Sequence, residues 1–193
     1  MKKIFFDTEF TGLHQYTTLI SMGLITDTGE TFYCEFDDYD ESQIDDWLEK
    51  NVIAKLKHET PEKLILKPFP HDKKENNQLY EKGFSVDMMG NTEYIKTSLL
   101  QWLAQFGDCQ MWSDCLSYDW VLFNQLWGHA FNIPKNVYYI PFDICTLFEL
   151  KGIDPDISRE EFAEINDVDS KHNALWDAKV IKMCYNKLIV IPF

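Results

Sequence analysis

Residues 5–13 read FFDTEFTGL, and this stretch decides how the rest of the chain is interpreted. An apolar run that begins at Ile4 leads directly into two acids, Asp7 and Glu9. Because successive side chains of a strand alternate between its two faces, Phe5, Asp7 and Glu9 share one face. The two carboxylates lie roughly 6.6 Å apart along the strand, close enough to bind one cation or two neighbouring cations. The stretch therefore predicts a strand that ends in a metal-binding pair of acids.

The length and composition predict one domain in a reducing compartment. A chain of 193 residues can bury a core without disulfides or a structural metal, so we expect a single domain over residues 1–193. Five cysteines without a C-x-x-C pair indicate neither a disulfide framework nor a zinc ribbon. Asp7 and Glu9 interrupt the apolar start before it resembles a secretory signal, and no run reaches membrane-spanning length. We expect a cytoplasmic protein that does not contact membranes.

The formal net charge of −14 argues against a broad nucleic-acid-binding surface, because duplex affinity comes largely from neutralised phosphates. It does not exclude a nuclease that grips only a strand end. Eight of the eighteen basic residues fall between Lys50 and Lys82. A solvated helix and loop is the favoured interpretation of this basic island, and a phosphate track is the alternative.

The first part of the chain predicts an antiparallel three-strand meander. Strands are expected over Lys2 to Glu9, Thr17 to Asp27 and Glu30 to Phe36, with a turn before the third. From Ser42 to Leu66 the apolar residues recur at threes and fours, which predicts a helix. Residues 67–91 lose this periodicity, and we expect a loop-rich insertion there.

Helices and strands alternate in the second part of the chain. Asn91 or Thr92 is expected to cap a helix that ends near Gly107. The later elements are predicted as a strand from Cys109 to Asp114, a helix from Ser117 to Phe131, a strand from Val137 to Phe142, short helices capped by Asp143 and Ser158, and a final helix from Asn173 to Leu188. A meander followed by alternating elements predicts an α/β domain with a mixed sheet flanked by helices.

A further acid is predicted inside the helix that follows Ser117. Asp119 shares a helical face with Leu122, Phe123 and Leu126, so its carboxylate points along an apolar stripe and needs a partner. The alternative is an acid in the first helical turn that the helix dipole favours.

The final helix supplies another acid and a histidine. Asp177 lies on one face with Ala174, Ala178 and Ile181, and the small alanines predict a close approach of this helix to the sheet. His172 precedes Asp177 by five positions, about 140° around an ideal helix, so we expect it in the loop before the first turn. A surface or capping histidine is the alternative interpretation.

Together these motifs resemble the DEDDh 3′-to-5′ exonucleases of the RNase T superfamily. The match consists of D-T-E at Asp7 to Glu9, Y-D at Tyr118 and Asp119, and H-x-x-x-x-D from His172 to Asp177. DTEFTGL, the block from Trp112 to Trp120 and HNALWDA are similar to the small stand-alone exoribonuclease group described from mycobacteria. The sequence departs from many relatives in having Phe10 where they carry Thr and in lacking an Asn upstream of the second motif.

The resemblance implies a ribonuclease H-like fold, two divalent metals, and stepwise release of 5′-mononucleotides from single-stranded 3′ ends. Asp7, Glu9, Asp119 and Asp177 offer only hard oxygen donors, which favours Mg²⁺ or Mn²⁺. His172 is expected to take the proton of the attacking water. The resemblance further implies a homodimer.

The resemblance also implies that residues 10–13 meet the terminal nucleotide. Phe10 or Leu13 would pack against a base, Thr11 lies in the same segment, and Gly12 allows close approach of the backbone. Ordinary packing of Phe10 and Leu13 against neighbouring loops is the alternative.

We therefore predict a metal-dependent 3′-to-5′ exoribonuclease. RNA is preferred to DNA only through the resemblance, and a DNA 3′-to-5′ exonuclease or proofreading partner is the first alternative. The second alternative is a catalytically silent nucleic-acid-binding module. The complete set of four acids and a histidine argues against silence, because a scaffold does not need converging carboxylates.

Overall fold

The computed structural model describes residues 1–58, 65–68, 84–166 and 170–192, with the backbone alone at 65–68. The strands are β1 (Lys2–Phe10), β2 (Leu19–Thr26), β3 (Thr31–Phe36), β4 (Ile65–Pro68), β5 (Phe84–Gly90), β6 (Cys109–Ser113) and β7 (Phe142–Asp143). The helices are α1 (Asp46–Asn51), α2 (Thr92–Ala104), α3 (Ser117–Gln125), α4 (Ile144–Leu150), α5 (Arg159–Phe162) and α6 (Ala174–Ile189). Within these ranges no helix has the length and apolar character that a membrane crossing requires.

The described strands form one mixed sheet in the order β4-β5-β3-β2-β1-β6-β7. β1, β2 and β3 pair as the predicted antiparallel meander. β6 joins β1 in parallel, and β5 joins β3 in parallel. The predicted α/β mixed sheet of the ribonuclease H-like type is therefore confirmed, and the parallel pairing of β1 with β6 brings the end of β6 to the edge where Asp7 and Glu9 lie.

Alternation along β1 divides the core between the two faces of the sheet. Ile4 and Phe6 are buried in a cluster with side chains of α2 and α3, including Trp102 and Phe123. Phe5 is buried in a second cluster with side chains of α4 and α6. Helices therefore pack on both faces of the sheet, and the end of β1 lines an open cleft.

Local capping sets where the predicted helices begin. Asn91 caps α2, with its side chain accepting a hydrogen bond from the Tyr94 amide at 2.9 Å. Asp143 and Ser158 cap α4 and α5 as predicted. Asn173 caps α6, so the final helix begins close to its expected start.

Several predicted boundaries are wrong. Over its described residues the helix expected from Ser42 to Leu66 is replaced by α1, two short 3₁₀ turns and the start of β4, and residues 59–64 lie outside the described residues. The helix expected to reach Phe131 ends as α3 at Gln125, and a left-handed Gly128 follows soon after. The strand expected over 137–142 is reduced to a bridge between Val137 and Cys109 and to the short β7.

Part of the expected loop-rich insertion at 67–91 is also strand. β5 is hydrogen-bonded on both sides, to β3 and to β4, and its buried residues alternate. The sequence alone does not identify this strand, because Asp87 and the glycine at 90 are residue types that are rare in strands. The remainder of the expected insertion, residues 69–83, lies outside the described residues.

The first turn of α6 lies directly on the sheet at Gly23. Gly23 pairs with Asp7 across β2 and β1. A Cβ atom at Gly23 would be 2.2 Å from the backbone nitrogen of Leu175 and 2.3 Å from the carbonyl carbon of Ala174. Only glycine therefore permits this approach, which brings the first turn of α6 beside the end of β1.

Gly23→Ala should lower the free energy of unfolding by about 1–3 kcal/mol, because the added methyl group forces the helix backbone away from the sheet. Denaturant unfolding followed by circular dichroism measures this change. Gly107→Ala is the control, since a Cβ atom there meets nothing within 4 Å. Equal stability of the two variants would show that α6 does not depend on this contact.

Candidate active site

Two of the predicted acids lie at the end of β1 on one face of the sheet. Asp7 sits opposite Gly23, and Glu9 sits opposite Ser21. The pairing register shifts between Glu9 and Phe10, so the strand changes course immediately after the second acid. Asp7 and Glu9 therefore face the α6 layer, on the side of the sheet where Phe5 is buried.

α6 brings a third acid to the same place. Asp177 lies in the first turn of α6, which Gly23 allows to rest on the sheet. Carboxylate oxygens of Asp7, Glu9 and Asp177 lie within 4.8 Å of one another. The structure thus brings together three acids that the sequence places up to 170 positions apart.

Asp119 reaches the site from the opposite layer. It lies in the first turn of α3, is buried, and accepts hydrogen bonds from the backbone nitrogen and the hydroxyl of Thr8 at 3.0 and 2.6 Å. These bonds supply the partner that a buried carboxylate needs. Thr8 points to the α3 side of the sheet because side chains alternate along β1. The end of β1 therefore places Asp7 and Glu9 on one face and, on the other face, the hydroxyl that binds Asp119.

Thr8 is a functional residue that the sequence reasoning missed. Its position between Asp7 and Glu9 gave only the expectation that it faces the other side of the strand. The bond to Asp119 spans 111 positions of sequence, and no local pattern signals it.

Burial raises the pKa values of all four acids, and the negative charges of the neighbouring cluster acids add to the rise at Asp7 and Glu9. Burial, and then the negative charges of Asp119, Asp177 and Glu9, raise the pKa of Asp7 well above its usual range. Burial and the neighbouring Asp177 and Asp119 raise the pKa of Glu9 to about 8. Burial raises the pKa of Asp177 to about 7, although a hydrogen bond from the backbone N–H of His172 opposes the rise. The pKa of Asp119 rises to about 6 through burial, with the Thr8 hydrogen bonds opposing it.

This cluster fits divalent cations. The donors are carboxylate oxygens alone, the ligand type that Mg²⁺ and Mn²⁺ prefer. Asp7, Glu9 and Asp177 are close enough for one cation to meet all three. The negative charge of Asp119 also contributes to the raised pKa of Asp7. A cation beside the three acids, or one between Asp7 and Asp119, would relieve this repulsion.

His172 lies beside the acids in the loop before α6, as predicted. Its Nδ1 is 4.0 Å from a carboxylate oxygen of Glu9, and its side chain is about one-third exposed. Burial and the charges of Lys171 and Lys55 lower the pKa of His172 below its usual value. The imidazole is therefore neutral near pH 7 and able to accept a proton.

The segment expected to meet the substrate divides into exposed and structural side chains. Phe10 stacks on Tyr118 with ring centroids 5.4 Å apart, and both line the cleft that contains the acids together with the exposed Leu13. Thr11 is buried, and its hydroxyl is hydrogen-bonded to Gln43 at 2.5 Å. The Thr11 side chain thus holds the loop, and the contact of residues 10–13 with the terminal nucleotide stays a prediction. Gly12 continues this loop, with its amide donating to the Thr17 hydroxyl at 3.0 Å.

An aromatic residue that the sequence reasoning did not select stands next to His172. Trp47 on α1 is about half exposed, and its ring meets the His172 ring edge-on at 5.2 Å. No signal in the sequence distinguishes it, because single exposed apolar side chains are common on protein surfaces.

Asp114 lies at the rim of the same cleft and is held by an ion pair. Arg159 donates to its two carboxylate oxygens at 2.7 and 2.9 Å. Arg159 also donates to the backbone carbonyls of Pro155 and Ile157, so the pair ties the end of β6 to the segment before α5. The sequence analysis placed Asp114 only at the end of a predicted strand, and the structure shows it in a bidentate salt bridge.

Comparison with known proteins identifies the family. The model of the 3′-5′ exoribonuclease Rv2179c-like domain matches residues 2–189, and the chain therefore belongs to this family. No curated protein matches the chain at a significant level. The family match makes the chain a 3′-5′ exoribonuclease, a hydrolase, as predicted from its motifs.

The raised pKa values predict how the stability of the metal-free protein depends on pH. A carboxyl whose pKa is raised by folding contributes its full stability below its unfolded pKa of about 4. This contribution to the free energy of unfolding is lost as the pH rises through the folded pKa values of about 6 to 8 for Asp119, Asp177 and Glu9. Asp7→Asn removes one of the repelling charges. In EDTA it should raise the free energy of unfolding by about 1–3 kcal/mol at pH 8 and by less at pH 5.5.

Denaturant titration of both proteins at the two pH values measures this difference. Asp108→Asn is the control, because Asp108 is exposed and directly precedes β6, at the end of the β1–β6 pair that is far from the acids. A gain that is the same at both pH values would contradict the electrostatic explanation.

Proposed function

We propose that this exoribonuclease is of the DEDDh type and uses two divalent cations to release 5′-mononucleotides from single-stranded RNA. The observation that carries the proposal is the meeting of three carboxylates within 4.8 Å, with Asp119 beside them and His172 at the rim. A set of residues of this kind has no use in a protein that only binds RNA.

The acids divide naturally into two groups of ligands. Asp7, Glu9 and Asp177 would hold one cation, and Asp7 with Asp119 would hold the other. When bound, such cations supply Lewis-acid activation of the attacking water and stabilisation of the departing 3′ oxygen. Mg²⁺ and Mn²⁺ are the expected ions because every donor is a hard oxygen.

His172 is proposed as the general base. It accepts a proton from the attacking water, whose oxygen forms the new bond to phosphorus as the bond from phosphorus to the 3′ oxygen breaks. The 3′ oxygen gains a proton, and the terminal nucleotide leaves with its 5′ phosphate. The lowered pKa of His172 suits this role because the ring is unprotonated at neutral pH.

Aromatic and apolar side chains around the cleft are proposed to hold the terminal nucleotide. Phe10, stacked on Tyr118, lies on one side of the acids, and Trp47 lies beside His172 on another. Exposed aromatic rings stack on bases without selecting a sequence. A cleft of about 780 Å³ has room for a nucleotide at the chain end, and Leu13 extends its apolar lining.

Two further expectations stay proposals. A homodimer is implied by the resemblance alone, and light scattering of the purified chain across the micromolar range would decide it. A cytoplasmic location follows only from the composition, and microscopy of a tagged chain would check it.

The purified protein with Mn²⁺ should shorten 5′-labelled single-stranded RNA one nucleotide at a time from its 3′ end. Asp7→Ala should lower the rate to background, and excess EDTA should do the same, because the acids would no longer hold a cation. The net negative charge disfavours binding to a duplex, so digestion should begin at a single-stranded 3′ end. A chemically blocked 3′ end should therefore stop it.

The same assay separates the alternatives. Faster shortening of DNA than of RNA of the same sequence would favour the DNA exonuclease. Binding without shortening would indicate a silent module, and cutting of circular single strands would show an endonuclease.

His172→Ala should lower kcat by about 10²- to 10⁴-fold, the usual effect of losing a positioned base, while Mn²⁺ affinity stays close to that of the wild type. At saturating Mn²⁺ the wild-type kcat should fall as the pH drops through the lowered pKa of His172, and the variant should lack this limb. Steady-state kinetics from pH 5 to 8, with metal titrations, measure both effects. A variant that fails chiefly by losing metal would instead make His172 a ligand.

A further inference from the structure

A fully buried carboxylate outside the acid cluster, that of Glu35, lies on β3. Glu35 is fully buried and accepts hydrogen bonds from the Tyr33 hydroxyl at 2.5 Å and from the backbone nitrogens of Lys57 and His58 at 2.6 and 3.0 Å. Three donors, two of them backbone amides, stabilise the carboxylate in this position. Glu35 is not part of the cluster that fits cations, so the burial of its carboxylate needs another explanation in the geometry of the site.

Strand pairing aligns this carboxylate with the acids. Asp7 on β1, Gly23 on β2 and Tyr33 on β3 form one row across the sheet. Since α6 rests on the sheet at Gly23, Asp7 and Tyr33 flank its first turn from the two sides. Tyr33 is thus placed to hold the same helix end that carries Asp177 toward the acids.

The hydroxyl of Tyr33 is joined to the residue after His172. It accepts a hydrogen bond from the side-chain amide of Asn173 at 3.2 Å. The carbonyl oxygen of the same side chain accepts from the Trp176 amide at 3.2 Å and so caps α6. Burial and the adjacent Glu35 raise the pKa of Tyr33, so the hydroxyl keeps its proton and always donates to Glu35. Glu35, Tyr33 and Asn173 form one chain of hydrogen bonds that ends beside His172.

His172 needs such an anchor because its backbone is unusual. Its φ is +65°, in the left-handed region that residues with a side chain rarely adopt. A residue persists in this region when the surrounding structure fixes it. Asn173 follows His172 directly, and the nitrogen and oxygen of its side-chain amide are both hydrogen-bonded, so it fixes this turn on the C-terminal side.

Glu35 also holds the segment from α1 to His58, which contacts His172 from another side. The backbone amides of Lys57 and His58 donate to Glu35, and these two residues lie at the end of the segment that begins with α1. This segment carries Trp47, whose ring meets His172 edge-on. The His58 ring is placed in turn by Asp87 at 2.8 Å and lies over Tyr33. Glu35 therefore connects two segments that touch the imidazole from different sides.

We infer that Tyr33 and Glu35 are positioning residues that orient His172 for catalysis through Asn173 and through the segment of Trp47. Both side chains are fully buried, so neither touches RNA or the reacting atoms. The inference rests on the proposed role of His172 as general base. A misplacement of about 1 Å in a catalytic group is enough to lower a rate about 10²-fold, which is the scale of effect that this chain of bonds controls.

A double-mutant cycle tests the inference. Tyr33→Phe keeps the ring and removes the hydroxyl, and it should lower kcat about 10- to 100-fold with little change in KM or Mn²⁺ affinity. In a His172→Ala background the same substitution should change kcat by less than about twofold, because residues that act through one group are not additive. Kinetics of the four proteins on 5′-labelled RNA at saturating Mn²⁺ give the coupling.

Two further variants separate positioning from stability. Asn173→Ser keeps a capping oxygen for α6 but loses the donor to Tyr33, so it should reproduce the kcat loss and the coupling even if Tyr33→Phe folds poorly. Thr26→Val removes another buried hydroxyl that donates to a carboxylate, that of Glu30, on β2 away from the cleft. It should lower the melting temperature and leave kcat unchanged.

The outcomes distinguish the two proposals. Equal kcat losses from Tyr33→Phe in the presence and absence of the His172 side chain, or no loss in the wild-type background, would overturn the positioning role and leave the general base intact. A wild-type kcat for His172→Ala would overturn the general base and the positioning role together. Loss of metal affinity in Asn173→Ser would also overturn the inference, because the chain of bonds would then act on Asp177.

Discussion

Repulsion among carboxylates is the constraint on which the rest of this structure depends. Asp7, Glu9 and Asp177 meet within 4.8 Å in a partly buried cleft, and Asp119 adds its charge from the other layer. Without cations these carboxyls hold their protons more tightly, because burial raises the pKa values of Glu9 and Asp177 and the negative charges of Asp177 and Asp119 add to the rise at Glu9. The fold must therefore hold together a group of side chains that would move apart if they were free, and much of its hydrogen bonding near the cleft serves that purpose.

The holding contacts come from different parts of the sheet and act on different acids. Thr8 fixes Asp119 through two hydrogen bonds. Gly23 lets the first turn of α6 rest on β2, which sets the position of Asp177. The proposed chain from Glu35 through Tyr33 would add control over His172 without adding charge to the cleft. In this arrangement the acids and His172 line the cleft while Tyr33 and Glu35 are fully buried, as a preorganised site requires.

Predictions from the sequence were most accurate where the signal was local and periodic. The meander, α2 and α6 follow from alternation, helical spacing and capping side chains, and Asn91 and Asn173 cap the helices near the expected positions. Boundaries failed where tertiary contacts override local preference. β5 contains Asp87 and Gly90, yet pairing on both sides makes it a strand. The helix expected to reach Leu66 ends early, and the backbone beyond α1 binds the buried Glu35.

The sequence by itself determined which groups are candidates for the chemistry. Alternation along one strand places Asp7 and Glu9 on a common face, and Asp119, His172 and Asp177 complete the motifs by which the chain resembles 3′-to-5′ exonucleases. Only the tertiary structure decided how these groups are held. The bonds of Thr8 to Asp119 and of Asn173 to Tyr33 span 111 and 140 positions, and they arise from which strands become neighbours and how closely a helix rests on them. Local preference acts over a few residues, so a contact of this range is fixed only when the whole sheet has formed.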